Sequence, residues 1–130
     1  MFTVAGLKPG ATATKCIAVT ASGSAATVRL YGTGRSSTNG LANHLTVTVS
    51  VGTGGSTKSC NGFTASSTAY DGTLAAFPTG GWPAGVGGWT STATAPGRVY
   101  RVTYTLSASA PYTVQNGTAA MSFVWEARTI

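Results

Sequence analysis

Carboxylates are almost absent from this chain: Asp71 and Glu126 are the only two among 130 residues. It has a single histidine, His44, and two cysteines, Cys16 and Cys60. These shortages exclude a good deal of chemistry. A hydrolytic zinc site needs several imidazole, thiolate or carboxylate ligands, and neither a second histidine at ligand spacing nor an HExxH stretch is present. Glycoside hydrolysis needs two facing carboxylates, and nothing in the sequence brings Asp71 towards Glu126. A serine triad would have to recruit His44 and Asp71 with no GxSxG turn to expose its nucleophile. The chain therefore reads as non-catalytic, with no catalytic residue, no metal site and no cofactor. His44, beside Leu45 at a strand start, reads as an exposed or hydrogen-bonded loop residue.

Charge of either sign is scarce. Charged residues make up 8% of the chain, against about 25% in an ordinary soluble domain. Gly, Thr, Ser and Ala stand in their place. The hydrophobic share, 42%, is ordinary, so the composition is not that of a disordered chain, which combines low hydrophobicity with high charge. What charge there is sums to +6. That excess either keeps a hydroxyl-rich surface soluble or meets an anionic partner: cell-wall polymer, lipid headgroups or nucleic acid. Lys8, Lys15, Arg29, Arg35, Lys58, Arg98, Arg101 and Arg128 are dispersed along the chain, without the clustering and interleaved aromatics of a nucleic-acid surface. No nucleic-acid partner is expected.

Long hydrophobic runs are missing too, so no membrane span is expected. The start, Met1-Phe2-Thr3-Val4-Ala5, lacks the basic head and apolar stretch of a signal peptide. Two cysteines nevertheless suit an oxidising compartment, where Cys16 and Cys60 would form a disulfide. Closing a loop of about 45 residues stabilises a fold by roughly 4 kcal/mol in the chain-entropy picture. Both facts fit a mature secreted or cell-surface protein whose export signal was removed, with Met1 added.

What is abundant is alternation. Leu45-Thr46-Val47-Thr48-Val49-Ser50-Val51 places every apolar residue on one face and every hydroxyl on the other, the pattern of a half-buried strand. Thr14 to Ala21 sets Ile17, Val19 and Ala21 opposite Cys16 and Ala18. Val28 and Leu30 oppose Arg29 and Tyr31. Tyr100, Val102, Tyr104 and Leu106 share one face, as do Met121, Phe123 and Trp125. Turn signals separate these segments at Pro9-Gly10, 21–24, 52–55, Pro96-Gly97 and Asn116-Gly117. Short strands at such spacing give one all-β domain over residues 1–130, a two-sheet antiparallel sandwich of jelly-roll type. The first two of these strands are expected to pair as a hairpin, and so are the last two. Residues 63–97 read as a long aromatic, Gly/Pro-rich loop, with a short helix or strand near Thr73 to Ala76. Its Tyr70, Trp82 and Trp89 are either sugar-stacking platforms or a small packed cluster. Glu126 is either an ion-pair partner of Arg128 or Arg101, a solvated residue, or a carboxylate promoting a Lys–Asn isopeptide bond.

Three stretches, in order, resemble the TasA/camelysin-like proteins. Leu7-Lys8-Pro9-Gly10, Cys16-Ile17-Ala18-Val19 and Val28-Arg29-Leu30-Tyr31-Gly32 are similar to the family's opening. Cys60-Asn61-Gly62-Phe63 and Tyr70-Asp71-Gly72-Thr73-Leu74 resemble the centre of its actinobacterial branch. Tyr100 to Leu106, Gln115 to Thr118 and Phe123-Val124-Trp125-Glu126-Ala127 resemble its closing segment. The resemblance implies a secreted jelly roll and self-association into biofilm-matrix fibres or pilus-like filaments. It also implies an amino-terminal donor strand completing the next subunit's sheet. Residues 1–7 are then either that donor, with Phe2 and Val4 filling a groove, or a frayed terminus. The metalloendopeptidase label of some members is not carried over, because the ligands are missing. The alternative is an extracellular carbohydrate- or cell-wall-binding module, with matrix or wall polysaccharide as its partner.

Overall fold

The computed structural model describes residues 2–5, 9–21, 25–92, 97–111, 113–114 and 117–129, with the backbone alone for 2–5. Among the described residues eight strands follow one another: β1 (Phe2–Ala5), β2 (Thr12–Thr20), β3 (Ala26–Ser37), β4 (Leu45–Thr53), β5 (Thr64–Thr73), β6 (Val86–Thr90), β7 (Gly97–Leu106) and β8 (Thr118–Thr129). They build two four-stranded sheets, ordered β1-β8-β3-β6 and β2-β7-β4-β5, in which every pairing is antiparallel. The protein is an all-β sandwich. No helix among the described residues is long and apolar enough to cross a membrane.

The alternating segments behave as the pleat requires. Leu45, Val47, Val49 and Val51 of β4 are buried while Thr46 is exposed. They meet Tyr100, Val102 and Leu106 of β7, and across the sandwich Val28 and Leu30 of β3 with Met121 of β8. Leu41, Leu74, Phe77 and Val114 join this core from the connections. Each fully buried Leu or Phe contributes about 1.5–3 kcal/mol of transfer free energy.

Pairing departs from the expected hairpins. β2 lies in one sheet and β3 in the other, and β7 and β8 are divided in the same way. The strands nest: first with eighth, second with seventh, third with sixth, fourth with fifth. Only β4 and β5 are consecutive neighbours. Periodicity reports which face of a strand is buried, but carries no information about which strand lies beside it, so a short link between sheets looks like a hairpin turn. The turn residues 22–24 and 115–116, and Pro96, lie outside the described residues.

The expected long loop at 63–97 is also corrected. It contains β5 and β6, with single 3₁₀ turns at Leu74–Ala76 and Trp82–Ala84. The first of these lies where a short helix or strand is expected near Thr73 to Ala76, and it is helical. β5 escaped notice because Thr64 to Thr68 are all exposed, leaving no apolar alternation. Gly52 lets β4 lie against it: a Cβ there would collide with the Thr64 carbonyl oxygen.

Candidate functional site

Two features stand out once the sheets are assembled. The first is an edge. β3 runs beside β8 from Ala26↔Thr129 to Ser37↔Ala119, but on the other flank β1 covers only Thr118 to Met121. Among the described residues, Ser122–Thr129 therefore has a strand neighbour on one flank only. Phe2 and Val4 are in register with Met121 and Ala119, the two buried residues at that end of β8. The proposed donor residues thus sit on the edge of their own sheet, next to an uncovered stretch of the same strand.

Some side chains packed on the core are incompletely covered. Ile17 and Val19 of β2, Tyr104 of β7 and Phe123 and Trp125 of β8 pack on the core yet remain half-buried. Phe123 and Trp125 lie 6.0 Å apart between ring centres, and Trp125 meets Tyr100 edge-on at 5.5 Å. The Trp125 indole nitrogen is buried without a hydrogen-bond partner among the described residues.

The edge of β2 is managed differently. Cys16 and Cys60 form the expected disulfide, with Cα atoms 5.4 Å apart. It ties the β4–β5 connection across β2, where the Ala18 N–H donates to Thr57 Oγ1 at 3.0 Å. A side chain thereby occupies an outward backbone donor, the kind of group that otherwise templates edge-to-edge pairing. On the far side of the sandwich β6 is a five-residue strand, irregular opposite Val28 and Leu30.

The second feature is the outer face of β3 and β8. Their register sets Arg29 against Glu126 and Thr27 against Arg128, so the polar faces of both strands merge. The 3₁₀ turn Trp82–Ala84 rests on this face. Pro83 stiffens it, and Gly85 lets it approach closely: a Cβ there would lie 2.7 Å from the Arg29 Cβ. The guanidinium carbons of Arg29 and Arg128 each lie 4.8 Å from the Trp82 ring centre. Arg29 Nη1 donates to the Trp82 carbonyl at 3.3 Å. Arg128 Nε donates to Glu126 Oε2 at 2.7 Å, and Tyr31 Oη donates to Glu126 Oε1 at 2.8 Å. The Arg128 hydrogen bond, then that of Tyr31, holds the Glu126 carboxyl below its ordinary range, while the same bond to Glu126 raises the Tyr31 phenol. Of the readings open for Glu126, the ion pair with Arg128 is the one observed.

The remaining arginines follow the same logic. Arg98 lies 5.1 Å from the Trp89 ring centre and Arg101 4.9 Å from that of Phe63. Arg35 Nη1 donates to the Phe77 carbonyl at 2.8 Å. With two carboxylates in the chain, ring faces and carbonyls take the place of anionic partners.

The three candidate stacking aromatics separate. Trp89 is 9% exposed, with its indole N–H on Tyr100 Oη, which leaves no face for a sugar. Tyr70 packs edge-on against Phe77 at 4.8 Å and donates its hydroxyl to the Thr73 carbonyl at 2.6 Å, as a packing residue does. Trp82 alone stands in a polar, accessible cluster. No local sequence signal announces the arginines beside it, because only the β3–β8 register brings Arg29 and Arg128 together.

His44 ends the helical turn Leu41–His44, and its carbonyl accepts from the Ser107 N–H at 2.9 Å. Asp71 accepts from Thr48 Oγ1 at 3.3 Å on the sheet opposite Glu126. No group of three His, Cys, Asp or Glu residues gathers among the described residues. No protein-family model, curated protein or solved structure matches this chain.

Proposed function

We propose that this chain is a non-catalytic, secreted structural subunit that assembles into cell-surface or matrix filaments by β-strand exchange. The observation that carries this reading is the edge of β8, where, among the described residues, β1 covers four residues of a twelve-residue strand. Added strands gain affinity from main-chain hydrogen bonds and specificity from alternate side-chain pockets. Half-buried Phe123 and Trp125 of β8 itself supply apolar surface at that edge. The disulfide suits an oxidising compartment. The strand order 1-8-3-6 facing 2-7-4-5 supports the jelly-roll form of the sandwich.

Sedimentation and negative-stain microscopy over rising protein concentration test the reading. Filaments are expected from the full chain, and their loss on deleting residues 1–7. A monomer at every concentration, with unchanged size after the deletion, contradicts it.

A further inference from the structure

We infer that the outer face of β3 and β8, at Arg29, Arg128 and Trp82, is a binding site for a carboxylate-bearing polysaccharide. The site lies on a sheet face rather than a strand edge and does not depend on strand exchange.

The two guanidiniums share one support. Both lie on the ring of Trp82, which is fixed by a proline-stiffened 3₁₀ turn seated against β3. Two flexible side chains are thus ordered before any ligand arrives, which lowers the entropy lost on binding. Arg29 spends one N–H on the Trp82 carbonyl, and Arg128 spends Nε on Glu126. The two Nη groups of Arg128 have no acceptor among the described residues, and its side chain is 56% exposed. Guanidinium forks with open N–H edges bind a planar carboxylate through paired hydrogen bonds.

The neighbours of the forks favour a sugar acid over a simple polyanion. Glu126 is 31% exposed and offers acceptor lone pairs beside Arg128. Tyr31 and Thr27 lie on the same face. A uronate residue brings both groups that such a surface recognises, a carboxylate for the arginines and ring hydroxyls for Glu126, Tyr31 and Thr27. Polyphosphate brings charge without hydroxyl donors, so nothing it carries hydrogen-bonds to Glu126 and offsets the repulsion that this carboxylate exerts on any anion. Neutral glucan brings hydroxyls without the anion. Because the guanidiniums cover the ring, recognition runs through the forks and not through sugar stacking on Trp82.

The test is binding of polygalacturonate to monomeric protein at about physiological salt, where weak surface attraction is screened, with dextran and polyphosphate as comparison polymers. Wild type is expected to retain polygalacturonate in preference to both. The Arg29→Gln/Arg128→Gln double variant is expected to lose affinity by about tenfold or more, as befits two charge-assisted forks. Arg29→Lys/Arg128→Lys keeps the charge, loses the forks and is expected to bind nearly as poorly. Lys15→Gln/Lys58→Gln removes two charges beside the disulfide and is expected to bind as wild type. Thermal unfolding of each variant confirms that it is folded. Failure of wild type to bind polygalacturonate overturns the assignment. So does equal retention of polyphosphate or dextran, full binding by the lysine variant, or an equal loss in Lys15→Gln/Lys58→Gln.

Discussion

The indole N–H of Trp89, on β6, donates to the hydroxyl of Tyr100, on β7, at 2.9 Å. The bond joins the two sheets through the core, and the Tyr100 hydroxyl in turn donates to the Gly87 carbonyl at 2.9 Å. One phenol therefore serves two polar groups of β6, the buried Trp89 indole and the partly buried Gly87 carbonyl. Removing it in Tyr100→Phe takes away both bonds, at a cost of about 2 kcal/mol. Urea unfolding at neutral pH should show the midpoint move down with little change in slope.

The same residue makes a pH prediction. Burial pushes the Tyr100 phenol up to about 12, against the opposing pull of Trp89 and Arg98. The folded protein holds this proton more tightly than the unfolded chain, whose phenol titrates near 10. The contribution is complete below pH 10 and is lost as pH rises from 10 towards 12. Between pH 9 and pH 11, wild type should lose more stability than Tyr100→Phe, as read from paired urea curves.

Reduction of the disulfide tests a local and a global effect together. The bridge spans 44 positions, for which the chain-entropy picture gives about 4 kcal/mol. Cys16→Ser/Cys60→Ser should lower the unfolding free energy by about 2–4 kcal/mol. It should also release the β4–β5 connection, so that the Ala18 amide, now donating to Thr57, exchanges faster with deuterium. Unchanged Ala18 exchange would show that the clamp acts elsewhere.

The Glu126 carboxyl is held low first by Arg128 and then by Tyr31. Its contribution to the folded state is present above the ordinary carboxylate pKa and is lost as pH falls through the depressed folded value. Glu126→Gln removes the anion that raises Tyr31. Carbon-detected NMR titration should show Tyr31 ionising at lower pH in the variant than in wild type.

Much of the fold is legible in the sequence because its strands alternate: β4, β7 and β8 expose their buried faces directly. The disulfide is legible from composition and count. Neighbour relations are not, because Leu45 to Val51 looks the same beside any strand. That is why β2 and β3 suggest a hairpin and instead belong to different sheets. β5 was hidden for the opposite reason, being an edge strand whose first half has no buried side chain to report. The cluster at Trp82 needed register, since Arg29 and Arg128 stand far apart in the chain and meet only when β3 pairs with β8. Trp89 misled because an indole in a glycine-rich stretch looks exposed until its polar partner, Tyr100, is placed.

Amide hydrogen exchange along β8 probes strand addition most directly. In dilute monomer, the amides of Ser122–Thr129 that point away from β3 should exchange quickly, while those bonded to β3 stay protected. On concentration into assemblies the outward set should become protected, in register with the coverage that β1 gives Thr118 to Met121. Outward amides that exchange at the same rate in assembly and monomer would mean that no strand joins this edge, and the proposed mode of assembly would be wrong.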